Sequence, residues 1–335
     1  MNIQEIKQLL STPKNIVITA HKNPDGDAIG SSLGLHHYLS SLGHNSTVIM
    51  PNEYPDFLKW VPGEENIIKY NCDTDAAQTK IREAEMIFTL DYNHLSRSGE
   101  MQESLSSAEA IFVMIDHHQQ PDDYAQFVYS DVTMSSTCQM VYHFIQKLDD
   151  LDKITPELAT CIYVGIMTDT GSFRFRSTTS VTHKVVADLI DRGANNTAIH
   201  ENIYDTNTLS RLQLKGVALK NLKVLSEYNT AYISLSQAEL DQHNFKKGDT
   251  EGFVNIGLSI EGVKFAAIFI ENKTEGIIKI SLRSKGDFSV NEFSRDHFEG
   301  GGHHNAAGGK SNLSLSETVE KFISILPSYK NLLNP

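Results

Sequence analysis

Eight residues between positions 21 and 169 are of types that hold metal ions or move protons, and all follow apolar runs. NIVITA (Asn15–Ala20) leads into His21-Lys22-Asn23-Pro24-Asp25-Gly26-Asp27. MIFTL ends on Asp91, and IFVMI ends on Asp116-His117-His118. Asp169 follows the apolar stretch CIYVGIMT. Carboxylates crowded at one place repel each other unless a cation joins them, so the pattern points to divalent metal ions. Mixed imidazole and carboxylate donors suit manganese, with magnesium or cobalt as further choices. With no cysteine inside these motifs, a structural zinc site is disfavoured. The donors suffice for two ions about 3.5–4 Å apart sharing one carboxylate, the usual apparatus of phosphate-ester hydrolysis. Each piece alone has a plainer reading: an Asp-rich turn, a helix cap, a solvated histidine pair. Their shared position after apolar runs sets them apart.

The elements that must position these residues are legible around them. NIVITA, STVIM, MIFTLD and IFVMID read as strands, the last two apolar enough to be buried on both faces. Between them, AIGSSLGLHHYLSSLG has helical spacing and ends at Gly43; further helices are expected at about Ser135–Leu148 and Pro156–Met167. Strands interleaved with helices imply a doubly wound, mainly parallel α/β sheet. Ligands of such sheets lie beyond the carboxyl ends of the strands. From about Ser180 to Leu225 the pattern is helical, with two helices leading into a longer one from about Thr208. TAYISLS, KFAAIFIE and IIKISLRS then read as strands, and NEFSRDHF and SLSETVEKFISIL as helices, forming a smaller α/β domain. The expected division is 1–190 for the first domain, 191–225 for a helical linker and 226–335 for the second domain.

In order and spacing, His21-x-x-x-Asp25-x-Asp27, Asp91, Asp116-His117-His118 and Asp169 resemble the four motifs of the DHH phosphoesterases. Gly300-Gly301-Gly302-His303-x-x-Ala306-Ala307-Gly308 resembles the glycine-rich signature of the DHH-associated carboxy-terminal domain. The resemblance implies one metal held by His21, Asp25 and Asp91, and a second by Asp27, Asp91, His117 and Asp169. Asp116 would orient a ligand histidine, and His118 would face the scissile phosphate. It also implies that Arg283, Ser284, Gly301, Gly302 and His303 receive a substrate phosphate. Glycines let backbone amides approach an anion, and a helix amino terminus is expected to follow at Asn305. Arg97 is a further phosphate candidate that reads equally as a solvated loop arginine. Phe173, Phe175 and Phe253 are of the type that stacks bases, but read as core.

The chain has 335 residues and a formal net charge of −13. Two domains are the default at this length. Long nucleic acid is usually gripped by a basic surface, so long duplex nucleic acid is not an expected partner. The three scattered cysteines, Cys72, Cys138 and Cys161, argue against a disulfide framework. MNIQEIKQLLSTPK reads as an amphipathic helix rather than a signal peptide, and no stretch is long enough to span a bilayer. A cytoplasmic protein without a membrane partner is expected; a homodimer is allowed but not required. The compact layout is similar to the family's oligoribonucleases. That implies substrates of about two to five 5′-phosphorylated nucleotides and 3′-phosphoadenosine 5′-phosphate. The competing readings are a linear or cyclic dinucleotide phosphodiesterase and a nucleotide sensor without catalysis.

Overall fold

The computed structural model describes residues 1–334 and divides into two compact units, 1–206 and 207–335. In the first unit the elements are α1 (Ile3–Leu9), β1 (Asn15–Thr19), α2 (Gly26–Ser41), β2 (Asn45–Met50), β3 (Ile68–Lys69), α3 (Thr74–Glu83), β4 (Met86–Leu90) and α4 (Gln102–Ser106). They continue with β5 (Ile111–Asp116), β6 (Phe127–Ser130), α5 (Thr137–Lys147), α6 (Pro156–Asp169), α7 (Ser180–Asp191) and α8 (Asn196–Tyr204). All six strands run parallel, in the order β3-β2-β1-β4-β5-β6. The order reverses between β1 and β4, which is where a doubly wound sheet opens its ligand crevice.

Alternation along each strand feeds two cores. Ile16, Ile18, Phe88, Val113 and Ile115 pack with α2, α5 and α6. Val17, Ile49, Ile87 and Phe112 pack on the other face with Ala77, Ile81 and Leu105 of α3 and α4. With both faces covered, β4 is buried at every residue, as its continuous apolar run requires. Helix α2 is nearly all buried because it lies against α6. The contact is close enough that a Cβ on Gly30 would stand 2.5 Å from the carbonyl O of Cys161.

The second unit comprises α9 (Leu209–Asn221), β7 (Lys223–Leu225), β8 (Thr230–Leu235), α10 (Gln237–Gln242), α11 (Val254–Leu258), β9 (Phe265–Asn272) and β10 (Ile277–Ser284). After these come α12 (Val290–His297), β11 (Gly301–His303), β12 (Ala306–Ser311), α13 (Leu315–Ile325) and α14 (Lys330–Leu333). Its mixed sheet has the order β11-β12-β10-β9-β8-β7. Phe265, Phe269, Phe293 and Phe322 dominate one core. Leu214 and Ala218 of α9 pack on the other face with Ile233 and Ile268. The helix read from sequence as part of a linker thus lies against the second sheet. The helix expected at Asn305 is absent: His304-Asn305 is the two-residue turn of the β11–β12 hairpin, with Gly302 paired to Ala307 and His303 to Ala306.

Candidate metal centre

β1, β4 and β5 each hand over to their polar residues at the carboxyl edge of the first sheet. Asp25 caps α2: its Oδ1 accepts from the amides of Asp27 (3.0 Å) and Ala28 (3.1 Å). Its other oxygen, Oδ2, lies 3.9 Å from His21 Nε2. The cap and the candidate ligand are therefore one residue using two oxygens. Asp91 leaves β4 with φ 62°, an uncommon conformation for a residue other than glycine. It stands between two imidazoles, with Oδ2 3.3 Å from His21 Nε2 and Oδ1 3.5 Å from His117 Nε2. His117 Nε2 also lies 3.8 Å from Asp27 Oδ2 and 3.6 Å from Asp169 Oδ2. The six residues form two groups, His21–Asp25–Asp91 and Asp27–His117–Asp169, each with donor atoms within 4.8 Å of one another.

The ring orientations are fixed from behind. His21 Nδ1 donates to the carbonyl of Lys22 (2.9 Å) and His117 Nδ1 to that of Met134 (3.3 Å), which leaves both Nε2 atoms for the cluster. Asp116 was expected to orient a ligand histidine. In the structure its Oδ1 instead accepts from His118 Nδ1 at 2.7 Å, and the Met134 carbonyl serves His117.

Asp27 is held by a feature the sequence reading missed. Its two oxygens accept from the amides of Thr137 (2.6 Å) and Cys138 (2.8 Å), the first residues of α5 after the cap Ser136. The Thr137 hydroxyl donates to Asp91 Oδ1 at 3.1 Å. Backbone amides have no residue-type signature, but Ser136 before an apolar helical run was the available signal of a helix amino terminus, where anions are favoured. A cysteine therefore does border the site. Burial, then the neighbouring Asp27, pushes the Cys138 thiol up, so it stays protonated and unreactive.

The electrostatics call for cations. Burial drives the Asp27 carboxyl upward, and the charges of Asp91 and Asp169 add to this. For Asp91 burial acts in the same direction, but hydrogen bonds from His117 and His21 outweigh it and hold it well below the usual carboxylate range. Burial disfavours charge on His21, yet Asp91 and Asp25 overcome this and push it up to about 9, while Arg97 opposes them. His117 is raised in the same way, by Asp91, Asp169 and Asp27 against burial. The protonated histidines supply the positive charge that hard divalent ions would otherwise bring, and the donor set fits such ions.

Arg97 stands beside this cluster: its carbonyl accepts from the amide of Lys22 at 2.7 Å, and its charge is felt at His21. The remaining candidates lie in the second unit. Arg283 is paired with Ala306, and Ala306 with His303, so Arg283 and His303 occupy one cross-strand row. Ser284 points to the other side and is buried. Its hydroxyl donates to the carbonyl of Phe288 (2.6 Å) and accepts from Asn305 Nδ2 (2.8 Å). It pins the hairpin turn and has no proton left for a phosphate. The Gly302 amide likewise donates to Asn291 Oδ1 at 2.9 Å, and a Cβ on Gly300 would meet the Gly308 carbonyl O at 1.9 Å. These glycines are there for close strand and helix packing, which corrects the expected anion cradle at Gly302. Gly301, also expected to receive phosphate, pairs with Gly308 in the same hairpin. Phe253 is buried, as expected.

Residues 15–166 match the DHH family N-terminal domain, and residues 227–330 match the DHHA1 domain. The chain is similar to the crystal structure of an exopolyphosphatase-related protein from Bacteroides fragilis. The TM-score is 0.95 at 41% identity, covering 99% of this chain and 97% of that one. It is 29% identical to the bifunctional oligoribonuclease and PAP phosphatase NrnA of Thermus thermophilus, over 96% of this chain and 91% of that protein. It is 27% identical to the cyclic-di-AMP phosphodiesterase GdpP of Bacillus subtilis, over 97% of this chain but 49% of that protein. With both halves matched in chain order and the Bacteroides relative matched end to end, the chain belongs to the DHH family of phosphoesterases, with a DHHA1 domain as its second half.

Proposed function

We propose that this phosphoesterase uses two manganese ions to hydrolyse short 5′-phosphorylated oligoribonucleotides and 3′-phosphoadenosine 5′-phosphate. The observation that carries the two-ion reading is Asp91, whose two oxygens face the histidines of two separate donor groups. His21, Asp25 and Asp91 would hold one ion, and Asp27, His117 and Asp169 the other, with Asp91 common to both. Bound divalent ions supply Lewis-acid polarisation of the phosphoryl group and a water acidic enough to be deprotonated near neutral pH. The chain's own residues do the rest. The α5 amides and Thr137 keep Asp27 and Asp91 in place. Asp116 fixes His118 through Nδ1, so that Nε2 is the atom that hands a proton to the departing oxygen. Arg97 lends positive charge beside His21. Arg283 and His303 receive a second phosphate of the substrate.

The substrate class is supported by likeness over nearly the full length of both chains to proteins named as oligoribonucleases and PAP phosphatases. GdpP favours a second reading, cyclic or linear dinucleotide hydrolysis, although this chain spans about half of that protein. The deciding experiment is a panel with the purified chain and manganese: 3′-phosphoadenosine 5′-phosphate, pApA, a five-nucleotide RNA, a long RNA, cyclic-di-AMP and tripolyphosphate. Highest kcat/KM on the bisphosphate and the shortest RNAs is expected. A clear preference for cyclic-di-AMP, tripolyphosphate or long RNA would overturn the assignment.

A further inference from the structure

Two residues beyond Asp169 the backbone enters the left-handed region at three successive residues, Gly171 (φ 56°), Ser172 (φ 60°) and Phe173 (φ 64°). Ser172 and Phe173 are conformations that side chains other than glycine rarely adopt, so surrounding structure must hold them. It does. The Phe173 ring packs edge-on against Tyr163 and beside His183, and Ser172 Oγ lies 3.1 Å from His200 Nε2. The amides of Arg174 and Phe175 both donate to the carbonyl of Thr170, at 2.9 and 3.0 Å. The loop is thereby folded back to within one hydrogen bond of the residue next to Asp169.

While Ser172 and Phe173 face inward, the next three residues, Arg174, Phe175 and Arg176, are exposed. Phe175 is 37% exposed, and one edge of its ring rests on Gly171, where a Cβ would meet it at 2.5 Å. Arg174 Nε donates to the carbonyl of Gly171 at 2.8 Å, which ties that guanidinium to the loop through one of its nitrogens. The result is an aromatic ring held at its edge, flanked by two arginines, and anchored to Thr170, the residue after Asp169. An aromatic face stacks any nucleobase, and neighbouring arginines hold the backbone charge that comes with it.

We propose that the 171–176 loop is a nucleobase platform: Phe175 stacks on a base of the substrate, and Arg174 and Arg176 neutralise an adjoining phosphate. This rests on the oligoribonucleotide reading above. It changes the sequence-based view of Phe175 as core, while Phe173 keeps that role.

The test compares wild type, Phe175→Leu and Phe175→Tyr in the full-length chain with manganese. The substrates are pApA and the two dinucleotides in which one base or the other is replaced by hydrogen. Phe175→Leu should lower kcat/KM on pApA about tenfold or more, Phe175→Tyr should restore it, and on one abasic substrate all three proteins should converge. Stacking is read separately with a non-cleavable methylene-linked dinucleotide carrying 2-aminopurine. Wild type and Phe175→Tyr should quench its fluorescence; Phe175→Leu should not. Equal quenching by all three, or an equal loss on base-bearing and abasic substrates, would overturn the platform while leaving the oligonucleotide reading intact. Failure of the wild type to cleave any of the dinucleotides would overturn both.

Discussion

Asp91 is the residue on which the two donor groups converge, and its left-handed backbone sets it between them. Asp91→Ala should therefore be the most damaging single ligand change. Loss of kcat/KM should exceed the roughly 10- to 100-fold typical of losing a residue that only orients a metal ligand. Metal analysis should show both ions depleted in Asp91→Ala and both retained in Asp116→Asn. Proton linkage follows from the same residues. Ligation needs His21 Nε2 without its proton, whereas the metal-free protein holds that proton up to about pH 9. Manganese binding at pH 7 should thus release protons. Affinity should rise with pH, about tenfold per unit for each proton displaced. Calorimetry in buffers of different ionisation enthalpy measures the released protons; none at pH 7 would contradict the assignment of His21. At this scale the ligand types were legible in the sequence because carboxylates and imidazoles are rare after apolar runs. The amides of Thr137 and Cys138 were not, because every residue carries one. The pairing of Asp116 with His118 was not either, since three adjacent polar residues leave the partner undecided.

Helices α2 and α6 bring Asp27 and Asp169 together by touching almost backbone to backbone. A Cβ on Gly34 would stand 2.7 Å from Ile162, and one on Gly165 would lie 2.1 Å from Cys138 Sγ and 2.8 Å from Asp27 Oδ1. Gly30→Ala should destabilise the first unit by about 1–3 kcal/mol, the usual range for overpacking, with the metal site otherwise intact. Gly165→Ala should cost a similar amount and also weaken manganese binding, because its methyl would crowd Asp27. Thermal unfolding with and without chelator separates the two effects. The strands MIFTL and IFVMI were readable because burial on both faces demands unbroken apolar runs. The two-residue β3 and the half-buried β6 (Phe127–Ser130) gave no such run. The β11–β12 hairpin was hidden in Gly-Gly-His and Ala-Ala-Gly-Gly-Lys-Ser. Glycine carries no strand preference, and pairing with β10 is decided far along the chain.

The chain's negative charge is unevenly spread. Residues 207–335 carry 15 Lys and Arg against 14 Asp and Glu, whereas residues 1–206 carry 14 against 28. The unit with Arg283 and His303 is thus near neutral, and the acidic excess belongs to the unit with the candidate metal ligands. A polyanion should gain little from extra length. Catalytic efficiency on 5′-phosphorylated RNA should fall from two nucleotides to about twenty, with a shallow salt dependence reporting few phosphate contacts. A steady rise with length would instead indicate a processive nuclease. Arg283→Ala and His303→Ala should leave the metal content unchanged. They should slow hydrolysis of substrates with a terminal phosphate more than that of bis-p-nitrophenyl phosphate; equal losses would refute the second phosphate contact. The scatter of the ligands along the chain has one more consequence. His21, Asp91, His117 and Asp169 follow β1, β4 and β5 and end α6, so ions held by all of them clamp four separately folded segments at one point. Unfolding must first let go of the clamp, and each ion at a hundred times its dissociation constant would add about 2.7 kcal/mol of resistance. A nascent or truncated chain that stops before Asp169 would own all six strands and the His21–Asp25–Asp91 group, but would lack one donor of the second group and the segment it fastens.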